Sequence, residues 1–376
     1  MSVHPFFRSA VLAASRVLCA LTPLLAPAAQ AAPALAGCEL FPPGAIFSQR
    51  IDDVQRFPPH ARSTAWLGSI GPGRKLHADW GRTVDPLQTE RYYGIPVNVV
   101  DGTPATTRWP LVSHGIQDVR DSNGQGVPAE SDCAVGDQGT PAILRGCDGV
   151  IPTRRRFPYP LDALLKAERG ACNDPATCGD RHVLVLEQGA CRLWESYFSY
   201  QVNGRWSAYA TAAWDLKSME MRPDGWTSAD AAGLPILPLL ARIDEVEAGV
   251  IPHALRVTFR DAVLDRRHTW PASHSAGTTR ADGIPFGALL RLRADFDIPF
   301  WWTAQAKVLA RAMQKYGLYV ADIGSDFFVQ GDPDERWNPL TVWQIQHMKL
   351  NDFEFVDIGA ITRHPRFNPR SYQAAW

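Results

Sequence analysis

The stretch RHVLVLEQGACRLWESYFSY, residues 181–200, decides the fold class because it predicts a β-hairpin. Residues 181–187 and 191–200 are rich in aromatic and branched side chains, and the three residues between them include a glycine. Two such runs joined by a short glycine-containing loop are typical of paired antiparallel strands. The sequence therefore predicts β structure at the centre of the chain.

Ionisable side chains of this hairpin share faces with apolar ones. On the first strand His182 points to the same side as Leu184, while Arg181 and Glu187 point to the other side. On the second strand Glu195 lies on an apolar face. Because an unpaired buried ion is costly, each of these groups must face a polar partner.

The rest of the chain predicts mainly strands, with a few helices. Further strands are predicted over residues 206–214, 254–259, 289–296, 318–323 and 327–330, the third of them half-buried because its apolar and charged residues alternate. Helices are predicted over residues 239–247 and 303–316, and residues 340–350 form a final amphipathic segment. Residues 37–110, including the glycine-rich run 68–73, predict turns and short strands rather than helix. The fold class is therefore mainly β with inserted helices, an antiparallel sandwich or jelly-roll-like body.

The N-terminus has the layout of a secretory signal. A short segment with Arg8 precedes an apolar run of small residues, which ends at the A-x-A site Ala29-Gln30-Ala31. The run contains Arg16 and Pro23 and falls short of the roughly 20 apolar residues of a membrane span. We expect residues 1–31 to be a signal peptide and residues 32–376 a single globular domain, secreted to the periplasm or the extracellular space.

The cysteines favour an oxidised protein. Six of the seven follow the signal segment, which is the even set that three disulfides require. Spacing favours Cys133 with Cys147 and Cys172 with Cys178, which leaves Cys38 for Cys191, although six cysteines admit many pairings. The alternative is a lipid anchor on Cys38, which ends a lipobox-like LAGC and would leave an odd number of thiols.

The composition limits the classes of binding partner that we expect. Lys and Arg number 38 against 39 Asp and Glu, so no bulk charge favours nucleic acid or an anionic membrane. The 13 tryptophans are either core residues or platforms on which sugars stack. We therefore expect an extracellular glycan as partner, no nucleic acid, no membrane span after cleavage, and a monomer.

Most of the mature chain resembles a known family. The resembling segments are CELFPPGAIF (38–47), LHADWG (76–81), YGIPV (93–97), GDRHVLVLE (179–187), GWTSADAAGLPILP (225–238), DEVEAGVIPHALRVT (244–258), WPASH (270–274) and KYGLYVADIGSDFF (315–328). They are similar to a widespread family of exported, mostly bacterial single-domain proteins of unassigned activity. The resemblance implies an exported single domain and supports the pairing of Cys38 with Cys191. Residues 114–149 depart from the family pattern.

The candidate site residues are ionisable groups in apolar surroundings, where shifted pKa values permit catalysis. We predict two groups: the catalytic candidates His182, Glu195, His253, His274 and Asp322, and the substrate-binding candidates His77, Asp79, Arg181, Trp214 and Trp226. The three histidines at 253, 268 and 274 match no metal-ligand spacing, so we expect neither metal nor cofactor.

Two chemistries on a polysaccharide stay open. A glycoside hydrolase needs two carboxyl groups flanking the bond, for which Asp322 or Asp326 with Glu195 is the predicted pair. A uronate lyase needs a base and a cation, for which the histidines and Arg181 are the candidates. The alternative from another class is a non-catalytic glycan-binding or cell-surface protein. Convergence of the candidates in one cleft favours an enzyme, and a flat strip of exposed tryptophans favours binding.

Overall fold

The structure, a computed structural model, describes residues 1–2, 33–116, 125–136, 142–278 and 281–376. The chain divides into two units, Met1–Ala31 and Ala32–Trp376, and the elements below all belong to the second. The predicted signal segment, apart from its first two residues, lies outside the described residues. In the part of the chain that is described, no helix is long and apolar enough to cross a membrane.

The predicted hairpin forms the centre of a four-stranded sheet, sheet A. Its strands, numbered in chain order through the whole domain, are β4 (Val97–Val100), β8 (Val183–Glu187), β9 (Arg192–Tyr197) and β12 (Ala210–Asp215), arranged β12-β9-β8-β4. Strands β8 and β9 pair antiparallel, with Val185 opposite Trp194, which confirms the hairpin. Strand β4 pairs with β8 in parallel, a pairing that the sequence did not predict.

Sheet B has six strands and is mixed. They are β3 (His77–Asp79), β13 (Leu255–Phe259), β16 (Leu289–Leu292), β17 (Leu318–Ile323), β18 (Phe328–Gln330) and β19 (Phe353–Phe355), arranged β19-β16-β17-β13-β18-β3. The pairs β13–β17 and β18–β3 are parallel and the other pairs antiparallel. The predicted half-buried strand 289–296 is shorter than expected, because β16 ends at Leu292. The buried Arg291 in this strand has its polar partners, since it donates to Glu354 and to the carbonyl of Phe57.

Smaller sheets complete the β structure. They pair β1 (Ala34–Leu35) with β2 (Cys38–Glu39), β6 (Asp132–Cys133) with β7 (Leu144–Arg145), β14 (Leu264–His268) with β15 (Ile284–Phe286), and β11 (Arg205–Ser207) with both β5 (Val112–Ser113) and β10 (Tyr200–Val202). The strand predicted over 206–214 is thus divided between β11 and β12. Strand residues outnumber helical ones, which confirms the mainly β fold with inserted helices.

Five α-helices occur in the described residues. They are α1 (Ser63–Ile70), α2 (Ile243–Glu247), α3 (Ala304–Lys315), α4 (Pro339–Ile345) and α5 (Gly359–Thr362), and single 3₁₀ turns lie at Ile46–Ser48, Pro128–Glu130, Cys147–Gly149, Pro152–Arg154, Leu237–Leu239, Asp261–Val263 and Leu350–Asp352. Helix α3 begins as predicted, because the Thr303 hydroxyl accepts from the backbone N–H of Ala306 at 3.1 Å. Gly317, at φ +79°, follows its end.

Helix α1 contradicts the prediction that residues 37–110 contain no helix. Its sequence, STAWLGSI, has no charged residue and includes Gly68, so it lacks the amphipathic pattern of a surface helix. Tertiary packing stabilises this helix instead, because the Trp66 ring meets the Phe355 ring of β19 edge-on at 5.2 Å. Only the end of the glycine-rich run 68–73 forms the predicted turn.

The two faces of sheet A enter different cores. Leu184, Leu186 and Leu193 pack in the main core together with the apolar residues of sheet B. Val185 and Trp194 lie in a second core on the opposite face. This alternation agrees with the predicted faces, and it directs the His182 and Glu195 side chains toward sheet B.

Two of the three predicted disulfides are formed. Cys38 bonds to Cys191, and Cys172 bonds to Cys178. Disulfides of this kind form in oxidising compartments. Because the Cys38 sulfur is engaged, a lipid anchor on it is incompatible with this structure. The third predicted bond is absent, since Cys133 and Cys147 are buried free thiols. Burial, together with a hydrogen bond with Cys133, raises the pKa of the Cys147 thiol.

In the protein without residues 1–31, we expect two alkylation sites in the unreduced, denatured chain, at Cys133 and Cys147, and four more after reduction. The native protein should react little, because both thiols are buried and the alkylating reagent must reach the sulfur. Intact mass before and after reduction measures the count. No adduct without reduction would mean that Cys133 and Cys147 form the third disulfide that the sequence predicts.

Candidate active site

A group of ionisable and polar side chains lies between sheets A and B, and we call it the carboxylate cluster. Its members either bond to one another or lie close enough to shift one another's pKa. They are Asp79, Glu168, Asp180, His182, Glu195, Asp230, Arg256, Asp322 and Gln330. Carboxyl groups outnumber cationic groups in this set, so the cluster carries negative charge unless some of them hold protons.

Sheet B presents one row of the cluster across three strands. Gln330 of β18 is in register with Asp79 of β3, and its Nε2 donates to Asp79 Oδ2 at 3.3 Å. On the other side of β18, Val257 is in register with Val329, which places Arg256 beside Gln330. Asp79, Gln330 and Arg256 therefore share a row on one face of the sheet.

A β-bulge brings Asp322 to the same face. Arg256 of β13 is in register with Tyr319 of β17, but Thr258 is in register with Asp322, so β17 contains one extra residue. Without it, Asp322 would point to the face opposite Tyr319, because side chains alternate along a strand. The bulge thus places the Asp322 carboxylate 3.5 Å from Arg256 Nη2.

The loop of residues 228–233 joins the cluster from outside the sheets. The Asp230 carboxylate accepts hydrogen bonds from Nε and Nη2 of Arg256, and the bond from Nε is 3.1 Å long. The Ala229 carbonyl accepts from His182 Nε2 at 3.0 Å, and the Ala231 N–H donates to Asp322 Oδ1 at 3.3 Å. This one loop therefore contacts the histidine, the arginine and the aspartate of the cluster.

Gly233 permits the shape of this loop. Its φ is +69°, and a Cβ at this position would lie 2.0 Å from Ser273 Oγ and 2.7 Å from the Trp226 carbonyl oxygen. Any side chain would thus force the loop away from Ser273.

His182 and Glu168 form the ion pair on the sheet A side. The His182 Nδ1 donates to Glu168 Oε2 at 2.7 Å, and the ring meets the Tyr197 ring at 5.4 Å. Burial lowers the pKa of His182, but the Glu168 carboxylate outweighs it and raises this pKa to about 9. The imidazole is therefore protonated at neutral pH and is a poor base there.

Three carboxyl groups of the cluster have raised pKa values. Burial raises the pKa of Glu195 to about 7, although its oxygens accept from the N–H groups of Ile236 and Leu237 at 2.9 Å. Burial, with repulsion from Glu168, raises the pKa of Asp79 to about 6. Burial, with repulsion from Asp230, raises the pKa of Asp322 well above its usual value. These groups can hold a proton where an ordinary carboxyl group cannot.

Only part of the cluster is open to a ligand. The side chains of Asp322 and Glu168 are each 19% exposed, whereas those of Asp230 and Glu195 are fully buried. Asp79 is also partly exposed. The reachable groups are therefore carboxyl groups, with the cations behind them.

A groove of about 700 Å³ lies beside this opening. Its lining includes His77, Phe328 and Gln346, and the His77 and Phe328 rings stack at 3.9 Å. His77 is two residues before Asp79 on β3, so both side chains lie on the same face. The groove therefore reaches β3 at His77, and its lining includes the basic residues Arg74 and Lys75 but not Asp79.

Such an arrangement can perform acid and base chemistry. A carboxyl group that keeps its proton near neutral pH is a general acid, and an ionised neighbour is a base or a nucleophile. Asp322 and Asp79 lie on opposite sides of Arg256 and are both reachable. They are the reachable carboxyl groups that sheet B contributes to the cluster, on strands three apart in the order β17-β13-β18-β3.

The structure brings several predicted residues together. His182, Glu195, Asp322 and Asp79 belong to the cluster, and His77 lies beside it. His274 holds the same loop from its other side, because its Nδ1 donates to the Ala231 carbonyl at 2.7 Å.

Other predicted residues lie elsewhere. His253 is fully buried and pairs with Glu245 at 2.8 Å. Arg181 is buried and donates to the Ser199 carbonyl at 2.6 Å, so it is not placed to hold a substrate. Trp214 is a core residue, so its ring cannot stack on a sugar.

Trp226 and Asp326 also have local roles. The Trp226 ring is half-buried beneath the Arg222 guanidinium, at 5.8 Å. Asp326, the alternative acid, is buried and pairs with Arg260 and, at 3.5 Å, with Arg74. Glu195 is too deeply buried to touch a substrate, so the predicted hydrolase pairs that contain it do not form.

Sequence reasoning missed Asp230, Arg256, Glu168 and Gln330. Arg256 had a readable signal, because it is the one charged residue in the predicted apolar strand 254–259 and such a charge needs a partner. Asp230 could have been proposed as that partner, since it is the one charged residue among small and apolar ones in residues 226–241. Glu168 had no such signal, as it precedes β8 in a segment without regular structure.

Among the described residues, no group of three or more His, Cys, Asp or Glu side chains is arranged to hold a metal ion. Comparison with models of known families, with curated proteins and with solved structures found no match. The resemblance to exported bacterial proteins therefore stays a prediction from the sequence.

Proposed function

We propose that this chain is an exported polysaccharide-active enzyme that hydrolyses glycosidic bonds at the carboxylate cluster. The observation that carries the proposal is the pair Asp322 and Asp79, two partly exposed carboxyl groups with raised pKa on one face of sheet B. Glycoside hydrolysis uses two carboxyl groups, one of which donates a proton to the leaving oxygen while the other acts as base or nucleophile. Asp322, whose pKa burial raises well above its usual value, is the proposed acid, and Asp79 is the proposed base.

The surrounding residues fit this division of roles. Arg256 contacts Asp322 and holds Asp230, so it fixes the acid without neutralising the whole cluster. Glu195 anchors the backbone at Ile236 and Leu237, shortly after the loop that donates to Asp322. We assign Glu195 and His182 positioning roles rather than contact with the substrate.

The alternative lyase reaction has less support. Eliminating from a uronate requires a cation beside the sugar carboxylate and a neutral base. Here the reachable groups are acidic, Arg256 is occupied by Asp230, and His182 is protonated. A uronate carboxylate would meet these carboxyl groups at the cluster, whereas the basic residues Arg74 and Lys75 line the neighbouring groove.

An exposed aromatic strip favours glycan binding as a second candidate function. Phe300, Trp301 and Trp343 are 89, 49 and 52% exposed, and the Trp301 and Trp343 rings lie 6.2 Å apart. The His347 ring meets Trp343 edge-on at 4.5 Å. Exposed indole rings are flat apolar surfaces with a polar edge, which suits the faces of sugar rings. Gln346, the residue before His347, lines the groove that reaches His77.

We expect the wild-type protein to release new reducing ends from a neutral or amino glycan, without the near-ultraviolet absorbance of an unsaturated product. Asp322→Asn and Asp79→Asn should each lower kcat by about 10² to 10⁴, the usual contribution of a general acid or base. Thermal melting should show that both variants fold. The matched control is Asp224→Asn, an aspartate whose side chain is 90% exposed, and it should keep full activity.

The binding function predicts the opposite pattern. A glycan that binds without any product, that binds equally well to Asp322→Asn, and that is lost from Trp343→Ala would overturn hydrolysis. Unsaturated product would instead restore the lyase.

A further inference from the structure

The groove beside the cluster is open to solvent and lined by cations. Arg74 and Lys75 both line it and are exposed, the Arg74 side chain by 53%. At Gly71 and Gly73, which also line it, a Cβ would meet no atom within 4 Å. The groove volume of about 700 Å³ lies in the usual range of small-molecule sites, about 300–1,000 Å³. A ligand can therefore enter this groove and reach both cations.

A second lysine lies next to Lys75. Lys75 and Lys349 are opposite each other in an isolated antiparallel bridge. The backbone bonds of this bridge flank the two lysines, with the Leu76 N–H donating at 3.0 Å and the Leu350 N–H at 2.8 Å. The lysines therefore form a non-hydrogen-bonded pair, the kind in which opposite side chains are closest and share a face.

The fold does not compensate for this contact. Like charges directly opposite each other destabilise a strand pair. Asp326, the carboxylate in the groove lining, already pairs with Arg74 and Arg260, and Asp352 accepts from the backbone N–H of Lys349 at 2.7 Å. Among the described residues, no ion pair neutralises either lysine. A bound anion would supply the missing negative charge.

The rest of the lining suits a sugar. The stacked rings of His77 and Phe328 provide an aromatic surface, and Gln346 provides an amide. Aromatic surfaces take the apolar face of a sugar ring, while the cations form charged hydrogen bonds with its acidic group. A nucleic acid would require a longer basic stripe than these few cations.

We infer that this groove binds an anionic glycan, whose carboxylate or sulfate groups are held by Arg74, Lys75 and Lys349. The inference goes beyond the proposed function, since neither Asp79 nor Asp322 lines the groove. The polymer held here need not be the one that is cleaved.

The test compares two hexamers that differ only in charge, galacturonate and its methyl ester. Calorimetric titration of the Asp322→Asn variant should show at least about tenfold tighter binding of the acid, as one hydrogen bond to a charged group implies. The preference should weaken with salt. Adding Lys75→Gln with Lys349→Gln should reduce it below about threefold. Adding Lys217→Gln, at an exposed lysine outside the groove lining, should leave it unchanged.

Thermal melting separates binding from stability. The variant with both lysines replaced should melt at the same temperature as its parent or higher, because a like-charge contact has been removed. A sulfated maltohexaose titrated in parallel identifies the anion: tighter binding of it than of galacturonate, lost with the two lysines, assigns sulfate, and weaker binding assigns carboxylate.

Four results would overturn the inference: equal affinity for acid and ester, a preference that survives the two lysine changes, a lower melting temperature in that variant, or tighter binding of a DNA hexanucleotide than of any glycan. Hydrolysis of a neutral glycan with equal affinity for acid and ester would leave the proposed function standing and remove this site. Charge-selective binding without hydrolysis of any glycan would do the reverse.

Discussion

Replacing Arg256 with methionine is expected to lower the free energy of unfolding by about 3–5 kcal/mol, the usual cost of removing one partner from a buried ion pair. The Arg256 side chain is 2% exposed and that of Asp230 is fully buried, so water cannot replace the lost guanidinium. The Asp322 carboxylate would lose the same partner. Denaturant unfolding of the two proteins measures the difference.

A matched surface arginine separates burial from charge. Arg336 also contacts several carboxylates, Asp334, Asp244 and Glu247, but it is 45% exposed. Its replacement by methionine should cost less than about 1 kcal/mol. An equal loss of unfolding free energy in both variants would contradict the explanation that removing Arg256 is costly because it leaves the buried Asp230 carboxylate without a partner.

The partner can also be removed. In the double variant Arg256→Met with Asp230→Leu, no charge is left unpaired between these two positions, and part of the lost stability should return. If the double variant is as unstable as the sum of the single ones, the two residues act independently and the ion pair is not the cause.

Local pattern sufficed for the elements whose stability is local. The hairpin of β8 and β9 is specified by alternation and by a glycine loop, and α3 by a capping threonine and a following glycine. Helix α1 and the parallel pairing of β13 with β17 were not predictable in this way. Packing against β19 stabilises α1, and residues far apart in the chain make the β13–β17 pair.

The candidate site was predictable only where an ionisable group lies in an apolar stretch of the sequence. His182, Glu195 and Asp322 were identified by that criterion, and the structure brings them to one cluster. The same criterion also selected Arg181 and His253, whose partners turned out to be a backbone carbonyl and a nearby glutamate. A sequence shows that a buried charge needs a partner, but the fold decides whether that partner is structural or part of a reachable site.

The last prediction concerns the His182–Glu168 pair and alkaline pH. Because the pKa of His182 rises from 6.5 to about 9 on folding, the protonated ring contributes about 3 kcal/mol at 1.36 kcal/mol per pH unit. A raised folded pKa means that this contribution is fully present below pH 6.5 and is lost as the pH rises through about 9. The lowered pKa of Glu168 reflects the same contact and adds nothing further.

We therefore expect His182 to contribute a fall of about 3 kcal/mol in the free energy of unfolding between pH 6.5 and pH 9.5, measured by urea unfolding at fixed ionic strength as the difference between wild type and His182→Gln. His182→Gln should be less stable than wild type at pH 6.5 and should lose this dependence, since its side chain does not titrate. Glu168→Gln should also lose it, because burial alone lowers the pKa of His182. His268→Gln, which changes a partly exposed histidine paired with Asp224, should keep the wild-type curve. If the same decline persists in His182→Gln, another group causes the alkaline loss of stability. That result would contradict the protonated state assigned to His182.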